Sequence, residues 1–148
     1  MDLISCSSHP VQPFAMPSLF LNMEKKIIKT DAAPAPIGPY SQAVMAGNTL
    51  YISGQVAINP ASGNVEANGV AEETHQVMKN LQAVLTEAGA GFDNIVKTTI
   101  FLSDMSLFAG VNEVYGSYFS HDFPARETVA VKGLPKNVNV EISMIALL

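Results

Sequence analysis

One cysteine and one arginine are all that this 148-residue chain has of either type. The cysteine, Cys6, lies in an irregular N-terminal stretch. That excludes an intrachain disulfide framework and favours a reducing compartment. Histidine is sparse too: His9, His75 and His121 are scattered, with no pair at metal-ligand spacing. With no usable cysteine in the body of the chain, a metal site, and zinc in particular, is not expected. Nor is there a basic surplus. The net charge of −5 lacks the main term that draws a protein to a phosphate backbone, which argues against nucleic acid as a partner. No apolar run approaches the roughly 20 residues needed to cross a bilayer, so the expectation is a soluble, cytoplasmic protein with no membrane partner. Gly-rich phosphate loops, a G-x-S-x-G elbow and kinase signatures are absent. "GAGFDN" at Gly89 follows a helical pattern and lacks a third glycine, so it reads as a helix C-terminal turn.

What is present suffices for one core: 48 % of residues are apolar and only 14 % charged. Residues 1–22 carry Pro, Ser and His in no periodic order, and "MEKKIIKT" reads like a second start at Met23. The expectation is a disordered leader or upstream-start extension over 1–22 and a single domain over 23–148. The leader has no Lys or Arg, so it fits neither a secretory signal nor a transit peptide.

A short strand is expected at Lys25 to Lys29, followed by a stiff, proline-rich path through "DAAPAPIGPYSQ". Runs at Ala43 to Met45 and Thr49 to Ile58 flank Gly47-Asn48 and predict a hairpin. Apolar residues at three- and four-residue spacing from Val70 to Ala88 predict an amphipathic helix, with Asn68 as cap and Gly89 as stop. Ile95 to Leu102 is β-branched and aromatic, hence a buried strand. Asp104 reads as the cap of a second helix bearing Leu107, Phe108, Val111, Val114, Tyr115, Tyr118 and Phe119 on its apolar stripe. Strands at Glu127 to Lys132 and Val138 to Leu147 close the chain. This order predicts an α+β two-layer sandwich: a mixed sheet with both helices packed on one face. The other face has no helix to cover it, which points to a homo-oligomer.

The lone arginine, Arg126, sits just after Phe123-Pro124-Ala125. A guanidinium is planar, always charged and able to grip a carboxylate through two parallel hydrogen bonds, which a lysine cannot do. Alternation places Arg126 and Thr128 on one face of their strand, and Val129 and Val131 on the other, expected in the core. Glu141 shares a face with Asn139 and Ser143 on the last strand. Ser53-Gly54 interrupts an apolar strand, which suits either a bulge or close approach of backbone to a ligand. Pattern alone leaves Arg126 and Glu141 open between cleft residues, solvated charges and an interface salt bridge.

The collinear segments "APIGPYSQA", "LYISGQV", "NIVKTTIFLSDM", "VNEVYGSYF" and "FPARETVAVKGLPKNVNVEI" together resemble the RidA (YjgF/UK114) family of reactive-intermediate imine deaminases, from about Met23 to the C-terminus. The resemblance implies a chorismate-mutase-like fold, a homotrimer and ligand clefts between subunits. It implies hydrolysis of 2-imino or 2-enamino acids, such as 2-aminoacrylate, 2-iminopropanoate and 2-iminobutanoate, to 2-keto acids and ammonia. Carried over by position, Arg126, Glu141 and Tyr40 would be catalytic: Arg126 holding the carboxylate, Glu141 positioning or activating water, Tyr40 closing over the ligand. Thr128 would bind substrate through its backbone, Ser53 and Gly54 would line the cleft, and Asn112 would support it. Many relatives have cysteine at the position of Thr128, so a thiol role does not carry over. No metal or organic cofactor is implied, because an imine carbon is already electrophilic and water needs only orientation. A non-catalytic keto-acid-binding or chaperone-like trimer, and an endoribonuclease or translation inhibitor, are the competing readings.

Overall fold

The computed structural model describes residues 24–148; the leader and domain-start expectations, with Cys6 and His9, lie outside them. Strand β1 (Lys25–Ile28), β2 (Ala43–Ala46) and β3 (Thr49–Gln55) lead to helix α1 (Val70–Glu87), then β4 (Ile95–Leu102), α2 (Phe108–Gly116), β5 (Ala125–Ala130) and β6 (Val140–Leu147). The six strands form one mixed sheet in the order β1-β2-β3-β6-β4-β5. All neighbours are antiparallel except β4 and β5, which run parallel through the α2 crossover. The last strand of the chain is therefore central, inserted between β3 and β4, and Glu141 sits on it.

Helix α1 buries Val77, Met78, Leu81, Val84 and Leu85, the stripe that its 3.6-residue period defines. These pack against Leu50, Ile52, Ile100, Leu102, Val140, Ile142 and Met144 from the covered face of the sheet. Each such side chain contributes about 1.5–3 kcal/mol by leaving water. Both helices lie on this face, as expected. Gly89 ends α1 at φ 78°, and the Ala90 and Gly89 amides donate to the Leu85 and Thr86 carbonyls at 2.9 and 3.0 Å, the paired C-terminal bonds that a left-handed glycine makes possible. The N-terminus departs from expectation. Gly69, at φ 147°, is the cap residue and supplies no side chain. Asn68 lies one position too early, and its backbone N–H donates instead to Glu72 Oε2 at 2.8 Å.

Two strand boundaries shift in ways that matter for the site. Strand β3 ends at Gln55, with an irregularity in its pairing to β6 between Ile52 and Gln55. Strand β5 begins at Ala125, so Arg126 lies inside the ladder rather than before it. No described helix is long and apolar enough to cross a membrane.

Candidate active site

The expected site residues fall into two separate pockets, and the parity of the sheet is the reason. Arg126 pairs with Thr98 of β4, whose side chain is buried under the helices, whereas Glu141 pairs with Phe101. Residues 98 and 101 are separated by an odd number, so they point to opposite faces. Arg126 therefore lies on the helix-covered face at the sheet edge, and Glu141 on the open face. The same parity corrects the reading of Val129, which sits on the open face and is 44 % exposed. An edge strand has neighbours on one side only, so alternation alone does not decide which face is the core.

The first pocket, of about 410 Å³, is lined by Asn112, Tyr115, Gly116, Phe123, Pro124 and Arg126. The Arg126 Cζ lies 5.1 Å from the centre of the Tyr115 ring and 5.7 Å from that of Phe108. Cation–π attraction of about 0.5–2 kcal/mol per ring holds the guanidinium while leaving its N–H groups free. Tyr115 is itself fixed, donating its hydroxyl to Thr98 Oγ1 at 3.1 Å. Burial pushes its phenol pKa up, with the Thr98 hydrogen bond and the Arg126 charge opposing. Glu127, next in sequence, points to the other face, where it pairs with Lys97 and accepts from Thr99. Among the described residues Arg126 forms no ion pair. Among these residues no carboxylate occupies the guanidinium, which is available to one from outside. Two residues on, Thr128 Oγ1 is buried without a hydrogen-bond partner among the described residues.

The second pocket, of about 360 Å³, is lined by Pro34, Ala35, Ile37, Tyr40, Ser53, Gly54, Val56, Ile58, Pro135, Lys136 and Glu141. The proline path forms one wall and delivers Tyr40, half-exposed, after a tight turn in which its N–H donates to the Gly38 carbonyl at 2.9 Å. Ser53 and Gly54 form the irregular end of β3. The ladder shifts here, as the bulge reading expects, and the close neighbour that the glycine admits is Glu141 of the same chain. A Cβ on Gly54 would overlap the Glu141 carboxylate and lie 2.8 Å from its Cδ. The Ser53 hydroxyl is already committed as a donor, to the Ser41 carbonyl at 2.7 Å. Glu141 has no ion-pair partner among the described residues, and partial burial raises its pKa. A carboxylate so placed is a stronger base than one in water.

Tyr40, Ser53, Gly54 and Glu141 are thus brought together, as are Asn112 and Arg126, with Thr128 beside the latter pair on the same strand. The two groups do not meet within one chain. Sequence reasoning assigned Tyr115 and Phe108 to the apolar stripe of α2 and missed their place under the guanidinium. The three-residue spacing of Asn112 and Tyr115, one helical turn apart, was the available signal. Lys136 was also missed; it reaches the Glu141 pocket from a turn in which its φ is 59°.

A family model described as endoribonuclease L-PSP matches residues 30–148, most of the chain. The chain belongs to the RidA family. Its RidA-type relatives include the mouse 2-iminobutanoate/2-iminopropanoate deaminase, 50 % identical over 83 % of this chain and 91 % of that protein. A RutC family protein from Synechocystis is also 50 % identical, over 85 % and 98 %. Among solved structures, a Yersinia pestis member of the conserved Rid family superposes with a TM-score of 0.82 at 48 % identity, covering 84 % of this chain and all of that one. Escherichia coli TdcF with bound serine gives a TM-score of 0.80 at 38 % identity, covering 83 % and 98 %. The six-stranded RidA sheet with its two helices is thus the fold of this chain.

Proposed function

We propose that the protein hydrolyses 2-imino and 2-enamino acids to 2-keto acids and ammonia, in clefts that form where the Arg126 pocket of one copy meets the Glu141 pocket of another within a homotrimer. The observation that carries this is the division of the site. A guanidinium with no acid paired to it and a carboxylate with no base paired to it among the described residues lie on opposite faces of one sheet, so each pocket holds half of what the reaction needs. The deaminase relatives support the chemistry, and the serine-bound relative shows that a protein of this fold takes a small molecule bearing a carboxylate.

In this reading Arg126 holds the substrate carboxylate through its fork, with the Thr128 backbone beside it and Asn112 supporting the pocket. Glu141, lying against Gly54, takes a proton from water as the water oxygen bonds to the imine carbon. Attack on the imine protonated at nitrogen gives a neutral carbinolamine, which receives that proton on nitrogen. Glu141 then takes the hydroxyl proton as the C–N bond breaks, so that ammonia leaves as the keto group forms. An enamine enters the same path once its β-carbon has taken a proton. Tyr40 closes over the ligand and Ser53 lines the cleft. The chemistry requires no metal or organic cofactor. A cytoplasmic setting, where pyridoxal-phosphate enzymes release such imines, belongs to the same reading.

The endoribonuclease named in the family description has less support. His75 is bonded to Tyr118 at 3.0 Å and His121 to Asp122 at 3.0 Å, and the chain has a net negative charge. The deciding experiment generates the imine in situ with a threonine dehydratase or amino-acid oxidase and traps it with semicarbazide. Added protein should outcompete the trap. Failure to do so, or equal competition by Arg126→Ala, refutes the proposal, and tight keto-acid binding without turnover would mark a ligand-binding trimer instead.

A further inference from the structure

Six polar side chains are buried among the described residues: Gln42, Gln55, Glu73, Thr74, Asn80 and Thr98. Burying such groups is costly unless their hydrogen bonds are made, so where those bonds go is informative. Three of the six tie down three different walls of the Glu141 pocket from behind.

Glu73, 5 % exposed, accepts from the Asn139 backbone N–H at 2.7 Å and from Asn139 Nδ2 at 2.6 Å. Asn139 lies between the Pro135–Asn137 turn and Glu141, and its Oδ1 accepts from the Ser103 hydroxyl at 2.9 Å. One carboxylate on α1 therefore locks the wall that carries both Lys136 and Glu141. Asn80, 1 % exposed, donates Nδ2 to the Val56 and Ile58 carbonyls, both at 3.0 Å. Val56 and Ile58 form the opposite wall. Its own Oδ1 is fixed by Gln76 Nε2 at 2.8 Å. Glu73 and Asn80 are seven residues apart, two helical turns, and so reach from one face of α1. Gln42, 2 % exposed, closes the proline path: it accepts from the Thr30 N–H at 2.8 Å and donates to the Pro34 carbonyl at 3.0 Å.

A helix whose only task was to cover the sheet would pack better with apolar groups at both positions. These bonds instead end on backbone that has no regular ladder to hold it: the chain after β3 and the chain before β6. We propose that Glu73 and Asn80 are positioning residues that set the spacing of the two walls around Glu141 without touching substrate. This rests on the deaminase reading of that pocket.

The test compares Glu73→Gln and Asn80→Ala with Leu81→Ala, a core truncation on the same helix that reaches neither wall. Imine turnover is measured well below each variant's unfolding temperature, and the Glu141 carboxyl is titrated by NMR; Lys136 and Tyr40 are the other titratable groups lining that pocket. Glu73→Gln and Asn80→Ala should lower kcat/KM about tenfold or more, with loss in kcat, because small displacements of a catalytic group are expensive in rate. The Glu141 carboxyl should also titrate closer to its ordinary value as water enters the loosened pocket. Leu81→Ala should stay within about twofold of wild type. Combining Glu73→Gln with Asn139→Asp, which exchanges the side-chain donor and acceptor, should recover both readouts. An unchanged Glu141 titration in Glu73→Gln, or equal activity loss in Leu81→Ala, overturns the proposal. If wild type turns over no imine yet the Glu141 titration still moves and is rescued, the positioning role stands and the deaminase reading falls.

Discussion

The carboxylate of Glu141 occupies the space that a side chain on Gly54 would fill. The two residues belong to neighbouring strands, and the irregularity in β3 brings the glycine backbone under the acid. Gly54→Ala should displace Glu141, because the overlap is with the carboxyl group and Gly54 lies within the sheet. We expect kcat/KM to fall by about two orders of magnitude and stability by about 1–3 kcal/mol, the usual cost of overpacking. Steady-state kinetics and thermal unfolding check both.

Burial raises the Glu141 pKa above its ordinary value of 4.5. Between the unfolded and folded pKa values the native state binds more protons than the unfolded one, so this group's contribution to stability falls as pH rises through that window. Glu141→Gln should therefore raise the melting temperature at neutral pH and leave it little changed at about pH 4, while abolishing most turnover. In wild type, kcat/KM should fall as pH drops through the raised pKa, and Glu141→Gln should lack that acid limb.

Arg126 is held over two aromatic rings and forms no ion pair among the described residues. Arg126→Lys keeps the charge but loses the fork, and a charge-assisted bond is worth about 1.5–3 kcal/mol. The expected fall in kcat/KM is about 10- to 150-fold, expressed mainly for substrates with a free carboxylate. Equal loss on an imino ester would count against carboxylate recognition.

Because the two pockets lie on opposite faces of one sheet, Arg126→Ala and Glu141→Ala should complement each other. Each variant alone should be inactive. Unfolding and refolding them together should restore part of wild-type turnover, since mixed trimers of the proposed kind would contain intact clefts. Mixtures that stay inactive, while native mass spectrometry shows that exchange occurred, would place both groups in one subunit's site.

Thr128 Oγ1 is buried with no hydrogen-bond partner among the described residues. An isosteric methyl removes an unmet desolvation cost, so Thr128→Val should be neutral or stabilising by about 1 kcal/mol. It should retain turnover, because the proposed contact to substrate runs through the backbone. A large activity loss with unchanged stability would show that the hydroxyl itself meets the ligand.

Local features carried much of this structure. The period of Val77, Leu81 and Val84 defined α1 and Gly89 marked its end. Asp104, expected to cap α2, instead caps the short turn Met105–Leu107 before it, accepting from the Ser106 N–H at 2.8 Å, and Leu107 takes the α2 cap position. Arg126 was conspicuous because it is the single guanidinium in the chain, whereas Glu141 stood out only through the resemblance to the RidA family. Asn68 misled because capping depends on where the chain turns, and the left-handed Gly69 turned it one residue later.

Composition, period and turn chemistry act through neighbours in sequence, and they determined the elements and the α+β class, while most of the residues worth suspecting came from the family resemblance of the collinear segments. Which face each strand turns to the helices is different, since it depends on register between strands far apart in the chain. Tertiary structure alone decided that β6 inserts between β3 and β4, that Val129 faces outward, and that Arg126 and Glu141 lie on opposite sides of one sheet. It also decided where the buried bonds of Glu73 and Asn80 end, because a side chain's polarity does not say which distant backbone it will hold.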